Sequence, residues 1–219
     1  MDSEVVVRGE AELRTMPDWA LLRVTIRGEG ASRDEAYRNA AVDASAVDEV
    51  LTSRQQAGRS VAHGALVVQP KSRWKKGESV RTGWFASRTT TVEITEFELM
   101  GDIFAELAAA GGDVAAPDWQ IDPKNRVYQQ ARKDAAIDAR QRADAYADAL
   151  GLKIGSVHWV AEPGLRGPGE VHPVALAAAA GMTRGGPAAE DVINVSPREM
   201  TVRAAVEVGF VLTTASQAG

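Results

Sequence analysis

The sequence predicts an α+β fold, mainly antiparallel sheet with helices packed on one face, in the order ββαββαβαββ. Three observations predict it. Runs of apolar–polar alternation, the period of a half-buried strand, come in pairs and flank segments of helical spacing. The turns between them carry Pro, Gly, Asp and Ser in places that start or stop such elements. The run from Asp122 to Gly151 carries alanine at 131, 135, 139, 143 and 147. Alanine at every fourth residue makes one i±4 ridge of almost no height, so this helix can lie very close to a flat sheet.

The elements follow in order. Val5, Val7, Gly9, Ala11 and Leu13 alternate as one strand, and Ala20, Leu22, Val24 and Ile26 as a second. The turn Thr15-Met16-Pro17-Asp18 between them suggests a hairpin or a closely spaced strand pair. Ser32-Arg33-Asp34-Glu35 is a capping box, and Ala36, Ala40, Ala44, Val47 and Leu51 behind it give one apolar helical face that ends before Gly58. A strand over 61–69, stopped by Pro70, leads into an exposed connection over 71–79. Residues 84–95 form the next strand, its apolar parity changing between Phe85 and Val92 as at a bulge or on a strand with both faces partly covered. The β-branched run Thr89-Thr90-Thr91 disfavours helix there.

A short helix over 99–110 stops at Gly111-Gly112, and a strand over 114–121 is interrupted or edged by Pro117. Asp122 caps the long helix with Pro123 in its first position, where a missing N–H costs nothing. At about 1.5 Å per residue this helix would reach roughly 40 Å. A strand over 154–160 follows, then a Gly/Pro/Ala-rich, partly mobile loop over 163–191 with one helical turn at 174–180. Met200 to Leu212 alternates strictly as a terminal strand. The long first and last strands are expected to end an open sheet and to leave exposed edges.

A chain of 219 residues is large enough for one domain over 1–219, open to division into sub-modules 1–96 and 97–219. It carries a net charge of −5, against the basic excess of a general nucleic-acid binder. Cysteine is absent, which excludes disulfides, thiolate metal sites and a Cys nucleophile. The longest weakly polar stretch, 174–182, falls far short of the roughly 20 residues of a membrane-spanning helix. The start MDSEVVV lacks the basic and apolar regions of a secretory signal, so the expected location is the cytoplasm.

No residue pattern announces catalysis. His63, His158 and His172 lack metal-site spacing, and Asp18 reads as a turn residue accepting backbone amides. Gly28-x-Gly30 precedes a helix, but Arg33 stands where a dinucleotide fingerprint needs its third Gly. The glycines of 164–169 and 181–186 lack a P-loop ending. Asp134/Asp138 and Asp144/Asp148 are interleaved with Arg132, Arg140 and Arg142 as a solvated face. Trp19, Trp84, Trp119 and Trp159 lie in or beside strands, where they pack a core or line a pocket or interface. Lys71, Arg73, Lys75 and Lys76 around Trp74 form a basic tip, read first as a solvated hairpin end and otherwise as suited to an acidic partner or, less readily, a nucleic acid. No catalytic, cofactor or metal residue is assigned.

Several motifs resemble the SIMPL-domain family. They are Val5-x-Val7-x-Gly9-x-Ala11 with Pro17-Asp18-x-Ala20, Glu35-Ala36 with Asn39, and Gln69-Pro70 with Gly83-x-x-Ala86-Ser87. To these are added Tyr146-Ala147-x-x-Leu150-Gly151 with Gly155, and the closing strand at Ala205, Val206, Val208, Phe210 and Leu212. The resemblance implies no catalytic residues and loosely described roles, from stress-related and envelope functions to signalling adaptors. Some relatives are similar to building blocks of ring-like or channel-like oligomers. The expected function is therefore non-enzymatic, by self-assembly as a homo-oligomer, by binding a protein partner, or both. The alternative is a small-ligand binder or unrecognised enzyme with a pocket between the sheet and the long helix.

Overall fold

A computed structural model describes residues 3–75, 77–166 and 195–214. In chain order the first elements are β1 (Glu4–Thr15), β2 (Trp19–Gly30), α1 (Arg33–Ser53), β3 (Gly58–His63), β4 (Val67–Lys75) and β5 (Glu78–Ile94). They continue as α2 (Met100–Ala109), β6 (Asp113–Val114), β7 (Asp118–Gln120), α3 (Arg126–Ala149), β8 (Leu152–Ala161) and β9 (Met200–Thr214). This is the α+β architecture the sequence predicts. The order differs only because two expected strands are each split, one into β3 and β4, the other into β6 and β7 around Pro117. The expected loop over 163–191, with its turn at 174–180, lies outside the described residues beyond 166.

The chain divides into two compact units, one of Met1–Met16, Pro123–Gly185 and Glu199–Gly219, the other of Pro17–Asp122 and Gly186–Arg198. In the first, a three-stranded antiparallel sheet runs β1-β9-β8. β1 meets β9 in continuous register, Val7 opposite Val208 and Leu13 opposite Val202. The helix α3 covers one face. Its five ridge alanines, Ala131 to Ala147, are all buried, and a small core forms from Val7, Ala139, Ala143, Val208 and Phe210.

Two expectations are corrected here. β1 and β2 do not form a hairpin, since β1 pairs with β9 and β2 with β5. Nor is the last strand an edge: β9 is the centre of its sheet, flanked by β1 and β8. Alternation fixes which face a strand buries and is silent about which neighbour it pairs with.

In the second unit the sheet runs β3-β5-β2-β6, with β4 also on β5 and β7 also on β2. Its core is larger, built on Leu22, Val24 and Ile26 of β2, Ile94 of β5, Val47 of α1, and Met100, Ile103 and Leu107 at and within α2. Of the two readings of β5 over 84–94, the structure has no bulge against β2: Ala86, Thr90, Val92 and Ile94 are buried on one face, while Phe85, Ser87, Thr91 and Glu93 on the other are half-buried, so both faces are partly covered. Pro70 does not stop its strand either. It pairs with Trp84 inside β4, whose one neighbour is β5, so the missing N–H falls where no ladder needs it.

The helix signals fared unequally. Ser32 caps α1, its Oγ accepting from the Glu35 amide at 3.2 Å, while the Glu35 carboxylate accepts from the Ala31 amide at 2.9 Å. The cap of α3 is Asn125, whose Oδ1 accepts from the Val127 amide at 2.9 Å, and not Asp122. Asp122 donates its amide to Asp18 Oδ2 at 2.7 Å, so Asp18 accepts a backbone amide from the strand end opposite. The helix is thus 24 residues long, about 36 Å.

The glycines of β1 and β2 explain how the alanine ridges seat. A methyl on Gly9 would overlap the Ala135 carbonyl oxygen and the Ala139 amide; one on Gly28 would overlap the Ala40 amide and the Ala36 carbonyl oxygen. In each unit helix backbone therefore rests almost directly on strand backbone. Gly28 and Gly30 serve this packing, since Gly30 meets Ala36 in the same way. Gly9→Ala and Gly28→Ala should each cost about 3 kcal/mol in denaturant melts, near the upper end for overpacking. Ala136→Leu, on the exposed side of α3, should stay within about 0.5 kcal/mol.

Candidate interaction site

The segment expected to be a connection over 71–79 is a hairpin arm. β2 pairs with β5 from Ile94 only as far as Trp84. Beyond that point β5 has β4 alone, in a ladder running from Lys71 opposite Gly83 to Lys75 opposite Glu78. Gly77, at φ +86°, supplies the left-handed residue of the tip. Between Lys71 and Ser72 the register slips, leaving Thr82 as the extra residue of a bulge, with its hydroxyl donating to the Lys71 carbonyl at 3.2 Å. At about 3.3 Å per residue the two-stranded part extends roughly 15 Å.

Both faces of this ribbon are in water. Ser72, Arg73 and the whole of 78–82 are exposed, and Trp74 keeps 75% of its surface. The sequence gives residues 71–82 five cations against one carboxylate. Lys71 is anchored at the root, its Nζ 2.6 Å and 2.7 Å from the Glu29 carboxylate oxygens, and Arg81 lies 5.4 Å from the Trp84 ring.

A second cluster holds the residue types of a catalytic relay. Arg88 projects from the buried face of β5 and donates to Asp48 through Nη1 at 2.9 Å and Nη2 at 2.5 Å, and to the Ala44 carbonyl at 3.1 Å. His63 Nδ1 lies 3.3 Å from Asp48 Oδ1 and 3.4 Å from Thr90 Oγ1. A nucleophile–base–acid relay needs opposite ring nitrogens for its two partners. Here both use Nδ1, and Thr90 is fully buried, so no nucleophile is presented. The cluster neutralises a guanidinium brought into the core face.

The remaining candidates are separate. His158 Nδ1 and Trp159 Nε1 meet Glu4 Oε1 at 3.1 Å and 2.6 Å, with Arg166 stacked 4.1 Å from the Trp159 ring. Trp119 packs edge-on to Phe97 at 5.2 Å, and Arg59 covers Trp19 at 4.8 Å. The tryptophans thus line no common pocket. On α3, Arg140 pairs with Asp144 at 3.3 Å and Arg142 with Asp138 at 2.7 Å, the solvated face expected. Asp138 does more: it accepts the Glu10 amide at 2.8 Å, closing the middle of the β1 edge. His172 and residues 181–186 lie outside the described residues. Among the described residues no group of three or more His, Asp or Glu could hold a metal, and no helix is long and apolar enough to cross a membrane.

Two clefts among the described residues are lined by charged groups of interest. One, of about 290 Å³, has a floor of Leu51, Val92, Ile94 and Ile103 with Arg54 and Arg59 at its rim. Arg54 Nε donates to Glu106 Oε2 at 3.0 Å, and this hydrogen bond holds the Glu106 carboxyl below its ordinary 4.5 and the Arg54 guanidinium above its own usual value. The other, of about 600 Å³, lies between β1 and the long helix and is lined by Leu13, Arg14, Arg126, Val127, Gln129, Gln130 and Lys133. The sequence reading missed Arg14, Arg126 and Lys133. The signal was present in part, because 126, 129, 130 and 133 stand at i, i+3, i+4 and i+7.

Comparison with known proteins agrees with this architecture. The SIMPL family model, described as a protein of unknown function (DUF541), matches residues 5–210. The 26 kDa periplasmic immunogenic protein of Brucella melitensis is 28% identical over 174 residues, 73% of this chain and 66% of the relative. The uncharacterized protein YggE of Escherichia coli is 22% identical over 157 residues, 71% of this chain and 64% of the relative. The matches thus span slightly under two thirds of these relatives' lengths. The expected cytoplasmic location is corrected by the Brucella relatives, whose names point to the periplasm. The first residues of a given sequence carry no information about a leader that precedes them.

Two measurements check these contacts. Asp48→Asn should destabilise by about 2 kcal/mol in denaturant melts, because it leaves the Arg88 charge on the core face without its counter-ion. Arg54→Met should bring the Glu106 titration, followed by NMR, back up toward 4.5. With its folded value depressed, Glu106 adds stability at pH above its ordinary value, and that stability is lost as pH falls through the lowered one.

Proposed function

The chain belongs to the SIMPL family, and on that premise we propose that it works by association, docking its basic hairpin arm onto an acidic surface of a second copy of itself. The observation that carries this reading is the arm itself. A two-stranded ribbon with both faces in water is marginally stable alone, because nothing buries its side chains. Covering Trp74 and Val80, which keep 75% and 45% of their surfaces, would supply the missing burial. A second copy suits the chemistry, because residues 71–82 are strongly basic while the whole chain carries −5, so the rest of the molecule is the complementary partner.

The reading is non-enzymatic, supported by the Asp48–His63–Thr90 geometry, which offers no nucleophile. It places the protein in the periplasm, on the strength of the Brucella relatives' printed names. Light scattering at micromolar concentration should find an oligomer. Trp74→Ala should weaken it about 30-fold, the effect of an aromatic anchor worth about 2 kcal/mol, and Arg73→Glu should weaken it in the same direction. A monomer throughout, or an oligomer that neither variant moves, would rule the reading out. Salt-sensitive binding to single-stranded DNA that disappears in Lys75→Glu would turn the arm toward nucleic acid instead.

A further inference from the structure

The cleft between β1 and the start of α3 has a chemistry of its own, independent of the arm. Its lining contains three cations and no carboxylate: Arg14 from the strand, Arg126 and Lys133 from the helix. Elsewhere the cations of these two elements are ion-paired. Arg140 and Arg142 have their aspartates at i±4, Arg8 meets Glu207 at 2.7 Å, and Glu12 meets Arg203 at 2.9 Å. The three cleft cations have no ion pair among the described residues. Arg14 lies opposite Thr201 in the ladder, while Arg126 and Lys133 have Gln130 and Ile137 at i+4. The nearest acid along the helix, Asp134, already accepts from Gln130 at 2.8 Å. A protein of net charge −5 thus keeps a cleft of about 600 Å³ lined by three cations, two neutral glutamines and no carboxylate, with Leu13 and Val127 as its apolar surface.

We propose that this cleft binds a phosphomonoester, as a free phosphorylated solute or as a lipid headgroup of the same chemistry. Three unit charges favour an anion of about −1.5 to −2, which a phosphomonoester carries near neutral pH, over a monocarboxylate. Two planar guanidinium forks and one ammonium match several phosphate oxygens at once, whereas a carboxylate has two. The volume admits the organic group beyond the phosphate.

The test uses the full chain in a chloride buffer of low ionic strength. Calorimetry would be run with inorganic phosphate, glycerol 3-phosphate and acetate, and flotation with vesicles containing phosphatidic acid or phosphatidylglycerol. The variants are Arg126→Gln and Lys133→Gln, with Lys153→Gln, on an exposed part of β8, as control. All three side chains are exposed, so the variants should fold, and circular dichroism confirms it. Phosphate and glycerol 3-phosphate should bind at least tenfold more tightly than acetate, each cleft variant should lose about fivefold or more, and the control should lose nothing. If the solutes fail while phosphatidic-acid vesicles bind and the variants release them, the headgroup is the ligand. The proposal is overturned if acetate matches phosphate, if phosphatidylglycerol matches phosphatidic acid, if the cleft variants bind like the control, or if no probe binds. Since none of these readouts depends on oligomer state, failure here leaves the arm's role standing, and the reverse.

Discussion

Everything in this protein follows from the absence of side-chain height where helix meets strand. In one unit Gly9 faces Ala135 and Ala139; in the other Gly28 faces Ala36 and Ala40. Between such surfaces dispersion acts at short range over much of the helix length, and one added methyl meets backbone that cannot yield. The consequence is a thin interior. Among the described residues of the first unit, the buried apolar cluster consists of Val7, Val208 and Phe210 of the sheet with Ala139 and Ala143 of α3. Among the described residues, an interior this thin leaves no room for a closed cavity under α3.

How much of this was legible in the residues depended on range. Local signals carried far. The alanine ridge, the Ser32–Glu35 box and the breaks at Gly111 and Gly151 each depend on neighbours a few residues away, and the folded chain shows them as read. Pairing was not legible: nothing in Val5–Leu13 says that its partner lies two hundred residues on and not across the next turn. Pro70 misled because a proline ends a strand only where its N–H is wanted, and β4 has a free side. Asp122 misled because Asp-Pro looks like a helix start, while the cap falls three residues later on Asn125. Of the candidate sites, the basic tip was visible as composition, but its form as an unsupported ribbon depends on where β2 stops. The cleft escaped because Arg14 joins the stripe on α3 only through the fold.

Charge separates structural roles from open ones. Arg88, with a side chain 13% exposed, has its carboxylate and a carbonyl, and Arg54 has Glu106. These pairs hold α1 against β5 and against α2. The outer face of the first sheet is likewise laced by Arg8–Glu207 and Arg203–Glu12, pairs that at such exposure add little stability but leave little net field. Uncompensated positive charge therefore stands out at the arm tip and at the β1–α3 cleft. Both lie outside the thin interiors.

The pairing of β1 with β9 also governs the order in which the molecule can be made. A nascent chain exposes Val5, Val7 and Leu13 well before the residues they pair with, Phe210, Val208 and Val202, leave the ribosome. The inserted segment Pro17–Asp122 can complete its own sheet in the meantime, while the opening strand waits unpaired. Until β9 emerges β1 lacks the strand it pairs with, and clipping β9 would strip β1 of that ladder.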